Sequence, residues 1–111
     1  DLLFAEIVAR MKRVNPKLRL EAAIPYRGRY ARLMEQPGTC ALLYACDTVA
    51  VLREAFTPDV FMARNRYMVE RSERVIAVYD GRARGGTAAT VRMARELKRE
   101  LRMIRPARYQ A

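Results

Sequence analysis

Residues 80 to 87 read Asp80-Gly81-Arg82-Ala83-Arg84-Gly85-Gly86-Thr87, between the apolar run Val75-Ile76-Ala77-Val78 and a segment with helical periodicity. In an open parallel sheet the carboxyl ends of the strands line the ligand crevice, and the helix that follows offers unpaired amides and the positive end of its dipole. Paired glycines let the backbone come close to a phosphate. Thr87 adds a hydroxyl that can donate to the ligand or cap the helix, and Arg82 or Arg84 can supply charge-assisted bonds. The spacing is neither that of a Walker motif, which needs Gly-Lys-Ser/Thr, nor GxGxxG. A glycine turn that only joins strand to helix would read the same way. If the turn holds an anion, the amides of Gly86, Thr87 and Ala88 should be free and should point into a concave site.

A second group is Arg64-Asn65. Asn65 stands four residues after Phe61 and four before Val69, and with Met68 these apolar residues mark one stripe of a helix. A polar side chain on that stripe faces inward and needs partners, either a neighbouring backbone or a ligand. We expect Asn65 to be largely buried and aimed toward Asp80 and Gly81. Arg64 beside a phosphate would gain bidentate pairing. Asp80, at the end of a strand, can accept hydrogen bonds from a ribose or base, although aspartate before glycine is also ordinary turn chemistry. Glu6 could reach the same crevice only if its helix follows an upstream strand. The chain has no histidine to act as a general base, and no serine or cysteine stands in a nucleophile-elbow pattern, so any catalysis would fall to carboxylates.

The elements that must position these residues alternate. Leu3, Ile7, Met11 and Val14 recur at helical spacing until Asn15-Pro16 ends the segment. Leu18 to Ile24 reads as a strand stopped by Pro25, and Tyr26 to Gly38 reads as a loop with Gly28, Pro37 and Gly38 as breakers. Thr39 can cap a short helix to about Cys46, and Thr48 to Leu52 is the next strand. Thr57-Pro58 starts a helix to about Arg71. Val75 to Tyr79 is apolar enough for a parallel strand covered on both faces. Thr87 to Arg99 is a helix with Thr90, Ala94, Leu97 and Leu101 on one stripe, and Leu101 to Ile104 is a last strand. The expected fold is α/β, a Rossmann-like three-layer arrangement in which the four strands form one parallel sheet flanked by helices. The chain begins at Asp1 inside a helical pattern, so we expect the first strand of such a fold to lie upstream.

With 111 residues and 51% hydrophobic residues, the chain fits a single domain over 1–111. No apolar run approaches the roughly 18 to 20 residues of a membrane helix, and no signal-peptide pattern is present, so we expect a cytoplasmic chain without membrane contact. Cys40 and Cys46 read as two reduced, packed thiols, and without histidine a zinc site lacks ligands. No metal or cofactor is called for. The net charge of +10 makes phosphate-rich partners plausible. Yet the basic residues are almost all arginine and are spread along the chain. Arg10, Lys12, Arg13, Arg95, Lys98 and Arg99 fall on helix faces that would be solvated in any case. Charge alone therefore does not favour nucleic acid, and oligomeric state, including a homo-oligomer, is open.

Three segments together, Arg64-Asn65-Arg66-Tyr67-Met68-Val69, Val75-Ile76-Ala77-Val78-Tyr79-Asp80-Gly81, and Gly85-Gly86-Thr87 followed by Thr90-Val91, resemble the YpsA-like family of the SLOG superfamily. Ala23-Ile24-Pro25-Tyr26 is similar to that family's strand end, and Asp1 with Ala5-Glu6 to the remains of its first turn and helix. The resemblance implies a Rossmann-like fold that binds or senses a nucleotide or nucleotide-derived ligand. Gly85, Gly86 and Thr87 would lie at the phosphate, with Arg64 and Asn65 nearby. It also supplies two alternatives, a nucleotide N-glycosidic hydrolase like the LOG phosphoribohydrolases and a single-stranded DNA-binding module like the DNA-processing protein DprA. The hydrolase pattern PGGxGTxxE, laid on Gly86-Thr87, puts Thr90 where its catalytic glutamate stands.

Overall fold

The computed structural model describes residues 2–79, 81 and 85–106. The chain divides after Val60 into two compact units. The first contains helix α1 (Leu2–Val14), strand β1 (Glu21–Tyr26), helices α2 (Arg27–Glu35) and α3 (Pro37–Ala45), and strand β2 (Thr48–Arg53). The second contains helix α4 (Val60–Glu70, starting at the boundary), strand β3 (Arg74–Val78), helix α5 (Gly86–Glu96) and strand β4 (Glu100–Ile104).

In the first unit, Lys12 and Arg13 in the last turn of α1 complement the negative end of its dipole. Asn15 then closes the helix, and its side-chain oxygen accepts from the Lys17 amide. β1 and β2 pair in parallel, with Ala22 opposite Val49 and Ile24 opposite Val51. The strand does not stop at Pro25. The ladder steps over that residue and resumes where Tyr26 meets Arg53, because a proline is tolerated wherever the ladder does not need its missing N–H.

The segment expected to be a loop is also different. Arg27–Glu35 is helical because Gly28 falls in the first turn, where it costs little, and good helix formers follow. Pro37 opens α3 at its first position instead of breaking a helix. Thr39 therefore sits inside α3 and is not its cap. Its hydroxyl donates to the carbonyls of Leu33 and Gln36 and so ties the two helices together.

A polar clamp fastens the entrances of both strands. Lys12 Nζ donates to Asp47 Oδ2 at 2.6 Å and to the Ala45 carbonyl at 3.3 Å, while the buried Leu20 gives its amide to the same Asp47 oxygen at 2.7 Å. Lys12 is thus an anchor and not a freely solvated lysine. The bonds from Lys12 and from the Leu20 amide hold the Asp47 carboxyl below the usual aspartate range. A carboxyl depressed in the folded state contributes stability that is fully present above its unfolded pKa, about 3.9, and is lost as pH falls through the lower folded value. Asp47→Asn, which loses the charge and keeps an acceptor, is expected to lower the melting temperature by a few degrees at pH 7. The difference from wild type should disappear in the acid range below pH about 4. Melts across pH check this, and a difference that persists undiminished at the acid end would show that the charge is not the cause.

In the second unit β3 and β4 pair in parallel, from Arg74 opposite Glu100 to Val78 opposite Ile104. Val69 of α4 packs with Met93 and Ala94 of α5, and Val75, Leu97 and Leu101 close around them. α5 ends in a left-handed residue that is not glycine. Lys98 has φ 57°, and the Arg99 and Lys98 amides return to the carbonyls of Ala94 and Arg95 as in a Schellman motif. Arg99, expected on a solvated face, turns its guanidinium onto the last carbonyls of α4, Val69 at 3.2 Å and Glu70 at 3.0 Å.

One expectation about the sheet is corrected. Each unit holds a two-stranded parallel ladder, β1 with β2 in the first and β3 with β4 in the second. Within its own unit β3 is covered on one face only. Val75 and Ala77 turn toward the helices, whereas Ile76, Val78 and Ile104 remain about half exposed. An apolar run gives the polarity of a strand but not what lies against each side.

Candidate functional site

Glycine is required at two positions of the turn by backbone geometry. Gly81 has φ +90° and Gly85 has φ +108° with ψ 170°, conformations that residues with a Cβ rarely adopt. Gly86 is different. As the first residue of α5 it has no left-handed φ, and a Cβ built there meets none of the described residues within 4 Å. Gly85, Gly86 and Thr87 are exposed, whereas Ala88 is buried and belongs to the packing side of α5. The first amide bonded back to the start of the helix is that of Ala89, which donates to the Gly85 carbonyl at 3.1 Å. The amides of Gly86, Thr87 and Ala88 precede it and have no intrahelical acceptor. Thr90 does not face outward as a free donor, since its hydroxyl donates to the Gly86 carbonyl at 2.9 Å. Asp80, Arg82 and Arg84 lie outside the described residues.

On α4, Asn65 is half-buried and not enclosed, and its Oδ1 accepts from Arg64 Nε at 3.0 Å. The Arg64 guanidinium also lies over the Phe61 ring, 5.7 Å from the centroid. The stripe is narrower than its sequence suggested, because Phe61 and Met68 stay exposed and only Val69 is buried deeply. The core contact of Val69 with Met93 and Ala94 sets the two helices against each other, one turn beyond Asn65 and two turns beyond Gly86. Glu6 is exposed on α1, in the first unit. Among the described residues no cluster of His, Cys, Asp or Glu could hold a metal ion. Both cysteines are free and half-buried; burial pushes the Cys46 thiol up, which disfavours a thiolate. No helix among the described residues is long and apolar enough to cross a membrane.

The basic residues are divided unevenly. Residues 61–111 hold 13 of the 22 basic and only 5 of the 12 acidic residues, so most of the net positive charge accompanies the unit that carries the glycine turn. A feature that periodicity alone does not reveal lies in the first unit. Tyr26 and Phe56, just past or at the carboxyl ends of β1 and β2, form an edge-to-face pair with ring centroids 5.5 Å apart and planes at 75°. The signal available was an aromatic residue at the carboxyl end of each strand.

The family model described as the YspA SLOG family matches residues 1–106. The chain belongs to that family. No curated protein matches it. Membership in the YspA SLOG family accords with the parallel α/β build of both units and with a nucleotide-related function.

Proposed function

We propose that this member of the YspA SLOG family binds a nucleotide or nucleotide-derived ligand by its phosphate, at the first turn of α5. The observation that carries the reading is the contrast between two adjacent glycines. Gly85 has a conformational reason to be glycine, whereas Gly86 has neither a strained backbone nor, among the described residues, a neighbour to avoid. Room for an approaching anion supplies the reason that the fold does not. Gly86, Thr87 and Ala88 offer the orphan amides and Thr87 a hydroxyl. The helix dipole adds roughly 0.3 to 2 kcal/mol, which is too little for tight binding alone. Charge-assisted bonds from Arg64, Arg82 or Arg84 would supply the remainder, with Asn65, Asp80 and Gly81 bordering the ligand. Thr90, with its hydroxyl committed to Gly86, replaces the carboxylate of a LOG-type hydrolase, and this favours binding or sensing over cleavage of the N-glycosidic bond. The concentration of arginine in residues 61–111 keeps a single-stranded DNA partner as the next reading.

Calorimetric titration with AMP and with adenosine tests the proposal. AMP is expected to bind at least about tenfold more tightly, the equivalent of one charge-assisted contact. Equal affinities would remove the phosphate from the reading. Free adenine released from AMP on incubation would move the proposal to a hydrolase.

A further inference from the structure

Met62 and Asn65 stand three residues apart on α4, so their side chains meet along one face of the helix. The Asn65 amide nitrogen donates to Met62 Sδ at 4.0 Å, while Asn65 Oδ1 accepts from Arg64 Nε at 3.0 Å. The second bond decides which end of the amide faces the sulfur. Its oxygen is taken by a donor, so its NH2 group is the end turned to Met62. A thioether accepts only weakly, and the amide therefore stands beside the sulfur without a strong partner there.

Met62 is 37% exposed, which lets a small oxidant reach the sulfur. Met11, Met68 and Met103 are more exposed, but among the described residues no side-chain donor faces their sulfurs. Exposure sets which methionines can be oxidised. The waiting amide sets where the oxidised form gains a partner.

We infer that Met62 is a site of reversible oxidation by a peroxide, at which the new sulfoxide oxygen captures the Asn65 amide. The sulfur gives an electron pair to one oxygen of hydrogen peroxide, the S–O bond forms as the O–O bond breaks, and the other oxygen leaves as water after proton transfer. Sulfur is oxidised and the peroxide is reduced. A weak acceptor thereby becomes a polar one with a donor already facing it, and Asn65 is held between Arg64 and the Met62 sulfoxide. A consequence for ligand binding rests on the nucleotide reading, in which Asn65 borders the ligand. Oxidation withdraws the Asn65 NH2 group from that ligand and lowers affinity for AMP by about twofold to tenfold, the effect of one hydrogen bond.

The test treats the full chain with dilute hydrogen peroxide and reads conversion at each methionine by peptide mass spectrometry. Met62 is expected to gain one oxygen while Met93, buried in the core, does not. In heteronuclear NMR spectra the Asn65 side-chain NH2 signals should move in oxidised wild type and return after a methionine sulfoxide reductase restores the thioether. They should stay in place in Met62→Leu given the same treatment, a variant that keeps the side-chain volume and hence the fold. Met62→Gln, which brings an amide oxygen to a similar reach, should shift the same signals without peroxide. Met62 left unoxidised while Met11, Met68 and Met103 are converted would overturn the inference. So would Met62 sulfoxide with the Asn65 signals unmoved, or signals that move equally in Met62→Leu. Calorimetry separates the two readings. Oxidised wild type that binds AMP as tightly as the reduced protein overturns the effect on the ligand and leaves the phosphate reading standing. Reduced protein that binds no AMP overturns the nucleotide reading, and the Asn65 signals still decide the sulfoxide.

Discussion

Gly86→Val is expected to weaken binding of a nucleoside monophosphate by at least about tenfold, with the fold intact. The direction follows from the open space around Gly86. None of the described residues lies within 4 Å of an added Cβ, so the new side chain enters the room assigned to the phosphate. The helix should not suffer, because valine is a better helix former than glycine. Hydrogen bonds from the turn amides to the phosphate would be broken or lengthened, and at about 1.4 kcal/mol per decade the weakening of one such charge-assisted bond is enough for the tenfold effect. Calorimetry with AMP on both proteins, beside thermal melts, is the measurement. Equal affinity in wild type and variant would reduce the turn to a connector.

Gly85→Ala should have the opposite profile, a loss of stability of about 1 to 3 kcal/mol. Gly85 lies at φ +108°, ψ 170°, where a Cβ clashes with its own backbone whatever space surrounds it. Gly86→Ala, one residue later, should be neutral or stabilising by about 0.4 to 1 kcal/mol, since it reduces the freedom of the unfolded chain and suits the helix. Urea unfolding of the two alanine variants decides the matter. If both glycines tolerate alanine equally, the conformational account of Gly85 is wrong, and with it the contrast on which the phosphate proposal stands.

The same pair of glycines marks the limit of local pattern. Gly85-Gly86-Thr87 is legible as a turn before a helix, but nothing in the neighbouring residues separates a glycine held by φ from one held by nothing. Asn65 follows the periodicity of α4, yet periodicity could not say that its oxygen would be taken by Arg64 and its side chain left half-buried. The hydrogen bonds of Lys12 and Arg99 have partners 29 to 35 residues away in sequence, so both residues look like solvated charges until the chain is folded.

Residue order was sufficient for the alternation of helices and strands, the existence of β1 to β4, the parallel sense of their pairings and the family. Each of these rests on patterns within a few residues or on the length of the links between them. Only the folded chain shows that Arg27 to Glu35 is helical, that β1 continues through Pro25, and that β1 pairs with β2 and β3 with β4. The same holds for the face of β3 that its own unit leaves uncovered and for the meeting of Tyr26 with Phe56 across thirty residues of chain. Such outcomes depend on which distant groups bury or bond one another, and short-range periodicity carries no record of those partners.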